Sequence, residues 1–148
     1  MKLGRRLIRA VTTNVAETSA VAEDPRLRGR TYAVPFEDVW RAALSLVDGG
    51  QRGWRLVSAD DRNGVIVAEA RTLVLRFVDD VTIRIALDQD AQTRVDVRSA
   101  SRVGRADGGV NSRRISRFCR RLDRRLRQQP PRARLFAGND DAAAPRSA

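Results

Sequence analysis

Hydrophobic and polar residues alternate strictly along two neighbouring segments of the chain. The hydrophobic positions are Val81, Ile83, Ile85 and Leu87 in the first segment, and Val95 and Val97 in the second. Successive side chains of a β-strand point to opposite faces, so this period of two predicts two strands that each bury one face. The short polar segment between them predicts that the strands form an antiparallel hairpin.

The charged residues on the polar faces select the register of this hairpin. Matching the buried faces requires paired residue numbers with an even sum. A sum of 180 places Arg84 opposite Asp96, which is an attractive pair. A sum of 182 would place Arg84 opposite Arg98, and facing like charges are destabilising. We therefore predict the sum of 180, which also brings Asp80 within reach of Arg98 or Arg102.

Two further segments have the spacing of amphipathic helices. The first begins at Pro35, a residue favoured in a first helical turn, and ends at Gly49-Gly50. The second runs from about Gly109 to Arg127. Its apolar stripe consists of Ile115, Phe118, Cys119, Leu122 and Leu126. Arginines are predicted to cover its opposite side: Arg113, Arg114, Arg117, Arg120, Arg121 and Arg124.

The remaining patterns complete one domain. Strands are predicted at residues 31–34, 54–59 and 65–71, and a turn rich in Asp, Asn and Gly joins the last two. We therefore expect the α+β class, with an antiparallel sheet of four to five strands and two helices packed on one face.

The chain divides into three predicted parts. Residues 17–29 lack periodicity, so residues 1–29 are interpreted as an N-terminal basic segment and linker. Residues 30–127 form the single α+β domain. Residues 128–148, which follow the second helix, are expected to be a disordered C-terminal tail.

The formal net charge of +11 is concentrated in the second helix. Residues 30–109 carry equal numbers of basic and acidic side chains, whereas residues 110–134 carry ten Arg and a single acidic residue, Asp123. Guanidinium groups bind carboxylates and phosphates through paired hydrogen bonds, so we interpret this face as a surface for an anionic protein or a membrane. Its residues are Arg113, Arg117, Arg120, Arg121 and Arg124. The alternative is a solvated face without a partner in an arginine-rich chain.

Few residues suited to catalysis are present. The chain has no His, its only Lys is Lys2, and its single cysteine, Cys119, lies on the apolar stripe of the second helix. The commonest general base is therefore missing, and zinc sites normally need several Cys or His ligands. We expect no catalytic residue, no metal site and no cofactor.

The sequence also bears on location and partners. No apolar run is long enough to cross a membrane, and the basic start is followed by residues too polar for a signal peptide. We expect the protein in the cytoplasm or at the periphery of the inner membrane. Nucleic acid is disfavoured as a partner, because aromatic residues are few and base-reading motifs are absent.

The most distinctive segment runs from Arg98 to Asn111. It predicts a strand, a glycine-containing loop and the start of a helix, a geometry that can present backbone N–H groups to an anion. The alternative is that Asp107 caps the helix and the glycines supply unusual backbone angles. Ser99 and Ser101 fall on the buried face and are expected to form local hydrogen bonds beneath the helix.

Three motifs occur in order along the domain. They are Tyr32-Ala33-Val34-Pro35 leading into Val39-Trp40, then Phe77-Val78-Asp79-Asp80-Val81, then Arg98-Ser99-Ala100-Ser101-Arg102 with Gly104, Asp107, Gly109, Asn111 and Arg114-Ile115. Together they resemble the bacterial family known as domain of unknown function 1499, over about residues 30–127. The resemblance implies no activity, substrate or cofactor. More loosely, the chain is similar to the compact helix-on-sheet domains of envelope lipoproteins, which act as binding modules.

The motif residues form the candidate site. They are Asp79, Asp80, Arg98, Ser99, Ser101, Arg102, Gly104, Asp107, Asn111 and Arg114. The leading hypothesis is a non-catalytic binding or scaffold domain that uses its basic helix. The second is a small-molecule binding domain with a pocket between sheet and helices, near Trp40 and Trp54. The least favoured is an enzyme that uses Asp80, Arg98 and Asp107.

Overall fold

The computed structural model describes residues 15–103 and 109–129. These residues form an antiparallel sheet of six strands and two helices. The strands are β1 (Val15–Glu17), β2 (Arg30–Tyr32), β3 (Trp54–Asp60), β4 (Val65–Arg71), β5 (Val78–Leu87) and β6 (Thr93–Ser101). The helices are α1 (Phe36–Val47) and α2 (Val110–Gln128), and a short 3-10 turn spans Pro25–Leu27. The α+β class and both helices are as the sequence predicts.

The sheet has the order β1-β6-β5-β4-β3, and β2 pairs with the outer edge of β6 next to β1. The register of β5 and β6 is the predicted one, with Arg84 opposite Asp96 and Ile83 opposite Val97. The Asp96 carboxylate, however, forms its ion pair with Arg94 of its own strand, at 2.7 Å. Arg84 and Asp96 therefore face each other as predicted, but the ion pair of Asp96 is with Arg94.

The hydrophobic core lies between one face of the sheet and the two helices. Both helices contact the sheet and each other, so they cover the same face. The buried sheet residues are Ile66, Ala68 and Ala70 of β4, Val81, Ile83 and Ile85 of β5, and Val95 and Val97 of β6. Phe118 of α2 is fully buried, and its ring stacks on Trp54 with a centroid distance of 5.7 Å. Neither α1 nor α2 lies on the other face of the sheet.

The sheet begins earlier in the chain than predicted. β1 pairs with β6, and the hydroxyl of Thr18 accepts a hydrogen bond from the Val97 amide at 2.8 Å and donates one to Asp96 at 3.1 Å. The interpretation of residues 17–29 as a linker is therefore corrected, because this stretch is tied to β6. A three-residue strand is too short to show a period of two in the sequence. Of the predicted tail, residues 130–148 lie outside the part of the chain that the structure describes.

Candidate functional site

An open cleft of about 710 Å³ lies at the end of the sheet where β4 ends and β5 begins. Its walls come from the loop between α1 and β3, the loop between β4 and β5, the end of β6 and the first two turns of α2. This volume is within the range of about 300–1,000 Å³ that small-molecule sites occupy. The cleft is therefore large enough to hold a ligand.

A buried ion pair forms the floor of the cleft. The Nη2 of Arg114 donates to Oδ2 of Asp79 at 2.5 Å, and the two side chains are only 9% and 3% exposed. The Nη1 of Arg114 donates to Ser99 Oγ at 2.9 Å and to Asn111 Oδ1 at 2.6 Å. A buried charge is tolerated when it is paired and hydrogen-bonded, and the Arg114 guanidinium is paired with Asp79 and donates three hydrogen bonds.

Two serines extend this network beneath the start of α2. Ser99 Oγ donates to Asn111 Oδ1 at 2.5 Å, and Asn111 Nδ2 donates to Ser101 Oγ at 2.9 Å. These are the local hydrogen bonds that the sequence predicts for Ser99 and Ser101. Gly109, with a φ of +83°, precedes the helix in a left-handed conformation that glycine adopts without strain.

The position of Arg114 differs from the prediction that this residue covers the solvent side of α2. The structure buries Arg114 against Asp79. The signal was present in the sequence, because odd-numbered Asp79 shares the inward face of its strand with Val81 and Ile83. An inward carboxylate requires a cationic or hydrogen-bonding partner, and Arg114 supplies it.

A second cluster lies on the face of the sheet opposite α1 and α2, which we call the open face. The Nη2 of Arg102 donates to Asp80 Oδ1 at 2.6 Å and to Glu69 Oε1 at 2.7 Å, as predicted for Asp80. The Nη2 of Arg55 donates to Glu69 Oε2 at 2.6 Å. Hydrogen bonds from Arg55 and Arg102 lower the pKa of Glu69, so this stabilisation is present at neutral pH and is lost as the pH falls through the lowered pKa.

The structure thus divides the predicted cluster between two faces. Asp79, Ser99, Ser101, Asn111 and Arg114 meet at the cleft, whereas Asp80 and Arg102 meet on the open face. Arg98 is exposed on the open face. Gly104 and Asp107 lie outside the described residues.

A double-mutant cycle of Asp80→Ala and Arg102→Ala is expected to show a small favourable coupling in urea unfolding. The pair is exposed, so solvent and salt screen most of its attraction. The coupling should shrink further when the salt concentration is raised from 10 mM to about 1 M. Strictly additive effects at low salt would show that the contact contributes nothing to stability.

The five arginines of the predicted anionic-partner face are all exposed: Arg113, Arg117, Arg120, Arg121 and Arg124. Arg113 and Arg117 line the cleft. Arg121 donates to the Gly50 carbonyl at 2.9 Å, and Arg120 donates to Ser116 Oγ at 2.7 Å. Arg121 is therefore also a structural contact between α2 and the loop that follows α1.

The β4–β5 loop is the most exposed apolar part of the cleft wall. Leu73, Val74 and Leu75 are 72%, 90% and 68% exposed, which is unusual for three consecutive large hydrophobic residues. We call residues 73–75 the apolar loop. Arg71 and Arg76 flank it. The sequence analysis did not predict this exposed apolar loop. The pattern of three apolar residues between two arginines, at the junction of two predicted strands, could have indicated it.

Gln51 is the second residue that sequence analysis missed. Its side chain lines the cleft and is only 6% exposed, yet its Nε2 has no hydrogen-bond partner among the described residues. An unpaired buried donor costs about 1–3 kcal/mol. Nothing in the sequence around Gln51 signals this environment, because it arises from the packing of α2 against the α1–β3 loop.

The single cysteine and the potential metal ligands were the remaining candidates for reactive chemistry. Cys119 is buried in the core, and its burial raises the pKa of the thiol to about 11, which keeps it protonated. The described ranges contain no group of three or more His, Cys, Asp or Glu residues that could hold a metal ion. Within the same ranges, neither helix is both long and apolar enough to span a membrane.

Comparison with known families and structures identifies the family of this chain. Residues 9–122 match the family described as "Protein of unknown function (DUF1499)", so the chain belongs to that family, in agreement with the motif resemblance. No curated protein matches the chain. Among solved structures, the crystal structure of protein CV1439 from Chromobacterium violaceum matches with 13% identity and a TM-score of 0.42, over 76% of this chain and 94% of that chain.

Proposed function

We propose that this member of the DUF1499 family is a non-catalytic binding domain that docks on anionic membrane surfaces through its apolar loop and the arginines around it. One observation carries the proposal: three consecutive exposed hydrophobic side chains lie beside a cationic cleft rim. An exposed apolar patch with a polar border is typical of an interaction site.

The charge around the apolar loop favours a lipid surface of negative charge. Arg52, Arg71 and Arg117 line the same cleft, and none of them forms an ion pair within the described part of the chain. The carboxylate on the cleft floor, Asp79, is already neutralised by Arg114. Apolar side chains that enter the headgroup region, together with cations at the surface, are the two forces that hold peripheral proteins on anionic bilayers.

The residue types present, and the surroundings of Cys119 and Asp79, support the non-catalytic part of the proposal. The chain has no His, and its one thiol is buried and protonated. The Asp79 carboxylate accepts a hydrogen bond from a buried guanidinium, which leaves it poorly suited to act as a general base. The basic face of α2 remains the alternative contact, for an acidic protein.

We expect the full chain to co-sediment with vesicles of phosphatidylglycerol and phosphatidylcholine, and not with phosphatidylcholine alone. The triple variant Leu73→Ser, Val74→Ser, Leu75→Ser should bind the anionic vesicles about 100-fold more weakly, since about 2.7 kcal/mol is a modest share of the transfer free energy of three such side chains. Leu87→Ser is the matched control, because Leu87 is also exposed but lies at the opposite end of β5.

Two results would contradict this proposal. One is unchanged vesicle binding by the triple variant, which would mean that the apolar loop does not enter the bilayer. The other is equal binding to neutral vesicles, which would mean that the arginines do not select the surface. Loss of binding in Arg120→Glu, Arg124→Glu with normal binding by the triple variant would transfer the role to the α2 face.

A further inference from the structure

We propose that the cleft is a binding site for a single-chain amphiphile with an anionic head group, either a carboxylate or a phosphate. The head group binds at the exposed arginines of the cleft, Arg52, Arg71 and Arg117, and the chain lies along the apolar wall. This inference goes beyond membrane docking, because it concerns one ligand molecule held by one protein molecule without a bilayer.

Three exposed arginines indicate where the head group binds. Arg52, Arg71 and Arg117 line the cleft, and none of them forms an ion pair among the described residues. Exposed guanidinium groups along one cleft are suited to the oxygens of a carboxylate or a phosphate.

The floor of the cleft does not compete for the head group. The Arg114 guanidinium is only 9% exposed, and the Asp79 carboxylate already neutralises its charge. The Asp79 carboxylate would also repel an anion that approached it closely. The head group is therefore expected at the rim, near the exposed arginines, and not on the floor.

The walls of the cleft require an apolar part in the ligand. Trp54, Leu75, Phe77, Val103 and Val110 all line it. Inorganic phosphate alone would leave these side chains facing water. A chain of about ten carbons would cover them, and the volume of about 710 Å³ accommodates a ligand of that size.

The test is a calorimetric titration of the full chain with decanoate and with decyl phosphate, each below its critical micelle concentration and without vesicles. Decanol serves as the uncharged control with the same chain length, and inorganic phosphate as the control without a chain. We expect both anionic amphiphiles to bind, and both controls to bind at least about tenfold more weakly, because each control lacks one of the two recognised parts.

Two substitutions locate the site. Arg117→Gln should weaken decanoate binding about tenfold while the ligand-free protein keeps its stability to urea, because Arg117 is an exposed cation of the cleft. Val110→Trp should fill the cleft and abolish binding, whereas Val57→Trp, on an exposed position of β3, should leave it unchanged. Arg71→Gln, at a second exposed arginine of the cleft, gives an independent test of the head-group position.

The outcomes separate this inference from the proposed function. Equal affinity for decanol and decanoate would overturn the anionic head group, and unchanged binding by Val110→Trp would overturn the cleft as the site. If the protein binds decanoate but not vesicles, the membrane-docking proposal is refuted and the cleft ligand is not. If it binds vesicles but neither decanoate nor decyl phosphate, the cleft ligand is refuted and membrane docking is not.

Discussion

Replacing Arg114 with Met is expected to lower the free energy of unfolding by about 3–5 kcal/mol, the cost typical of breaking a buried ion pair. The substitution leaves the Asp79 carboxylate buried without its cation. It also removes the hydrogen bonds that Arg114 donates to Ser99 and Asn111. Urea unfolding followed by circular dichroism would measure the loss. Arg117→Met is the matched control, and because Arg117 is exposed its effect should stay within about 0.5 kcal/mol.

The double variant Asp79→Leu, Arg114→Met distinguishes an unpaired charge from lost packing. Apolar residues of similar volume often replace a buried ion pair at little cost, so the double variant should recover most of the stability that either single variant loses. If the two losses simply add, the destabilisation comes from packing and the pair is not the stabilising unit that the structure indicates.

Phe118→Ala is expected to cost about 3–5 kcal/mol, because it opens a cavity at a fully buried position in the centre of the core. The Phe118 ring stacks on Trp54 at an interplanar angle of 13°, and Trp54 forms part of the cleft wall. The variant should therefore weaken ligand binding as well as stability. Leu75→Ala, at an exposed cleft position, is the control for stability.

The measurement for Phe118 is again urea unfolding, with the slope of the transition compared between variants. An unchanged slope with a lower midpoint would attribute the effect to the native core. A cost below about 1 kcal/mol would mean that the surrounding side chains collapse into the space, and that the Trp54 wall does not depend on Phe118.

Much of the sheet and both helices could be predicted from local patterns. The register of β5 and β6 followed from two facts, that buried faces must match and that Arg84 should not face Arg98. Both ends of the first helix followed from Pro35 and Gly49-Gly50, and the start of the second followed from Gly109, because these residues act through backbone geometry. These constraints operate within a few residues or across one hairpin, so a single sequence contains them.

The features that sequence analysis missed depend on contacts between distant segments. β1 has only three residues, and its identity as a strand comes from pairing with β6. The burial of Arg114 depends on Asp79, 35 residues earlier in the chain. Gln51 becomes an unpaired donor only because other elements close around it. Local propensity carries no information about contacts between distant segments. The alternation of β5 could have placed Asp79 on the inward face, but it could not have identified Arg114 as its partner.

The position of β6 has a consequence for how the chain reaches its native state. β6 pairs with β5 on one side and with both β1 and β2 on the other, so Val15 must meet Ala100 across most of the domain. Closing so long a loop is entropically costly and is typically late in folding. During synthesis, the β3–β5 meander can form as it emerges from the ribosome, but the two N-terminal strands have no edge to join until β6 has been made. β1, the first of the described strands to be translated, is therefore expected to be among the last to fold.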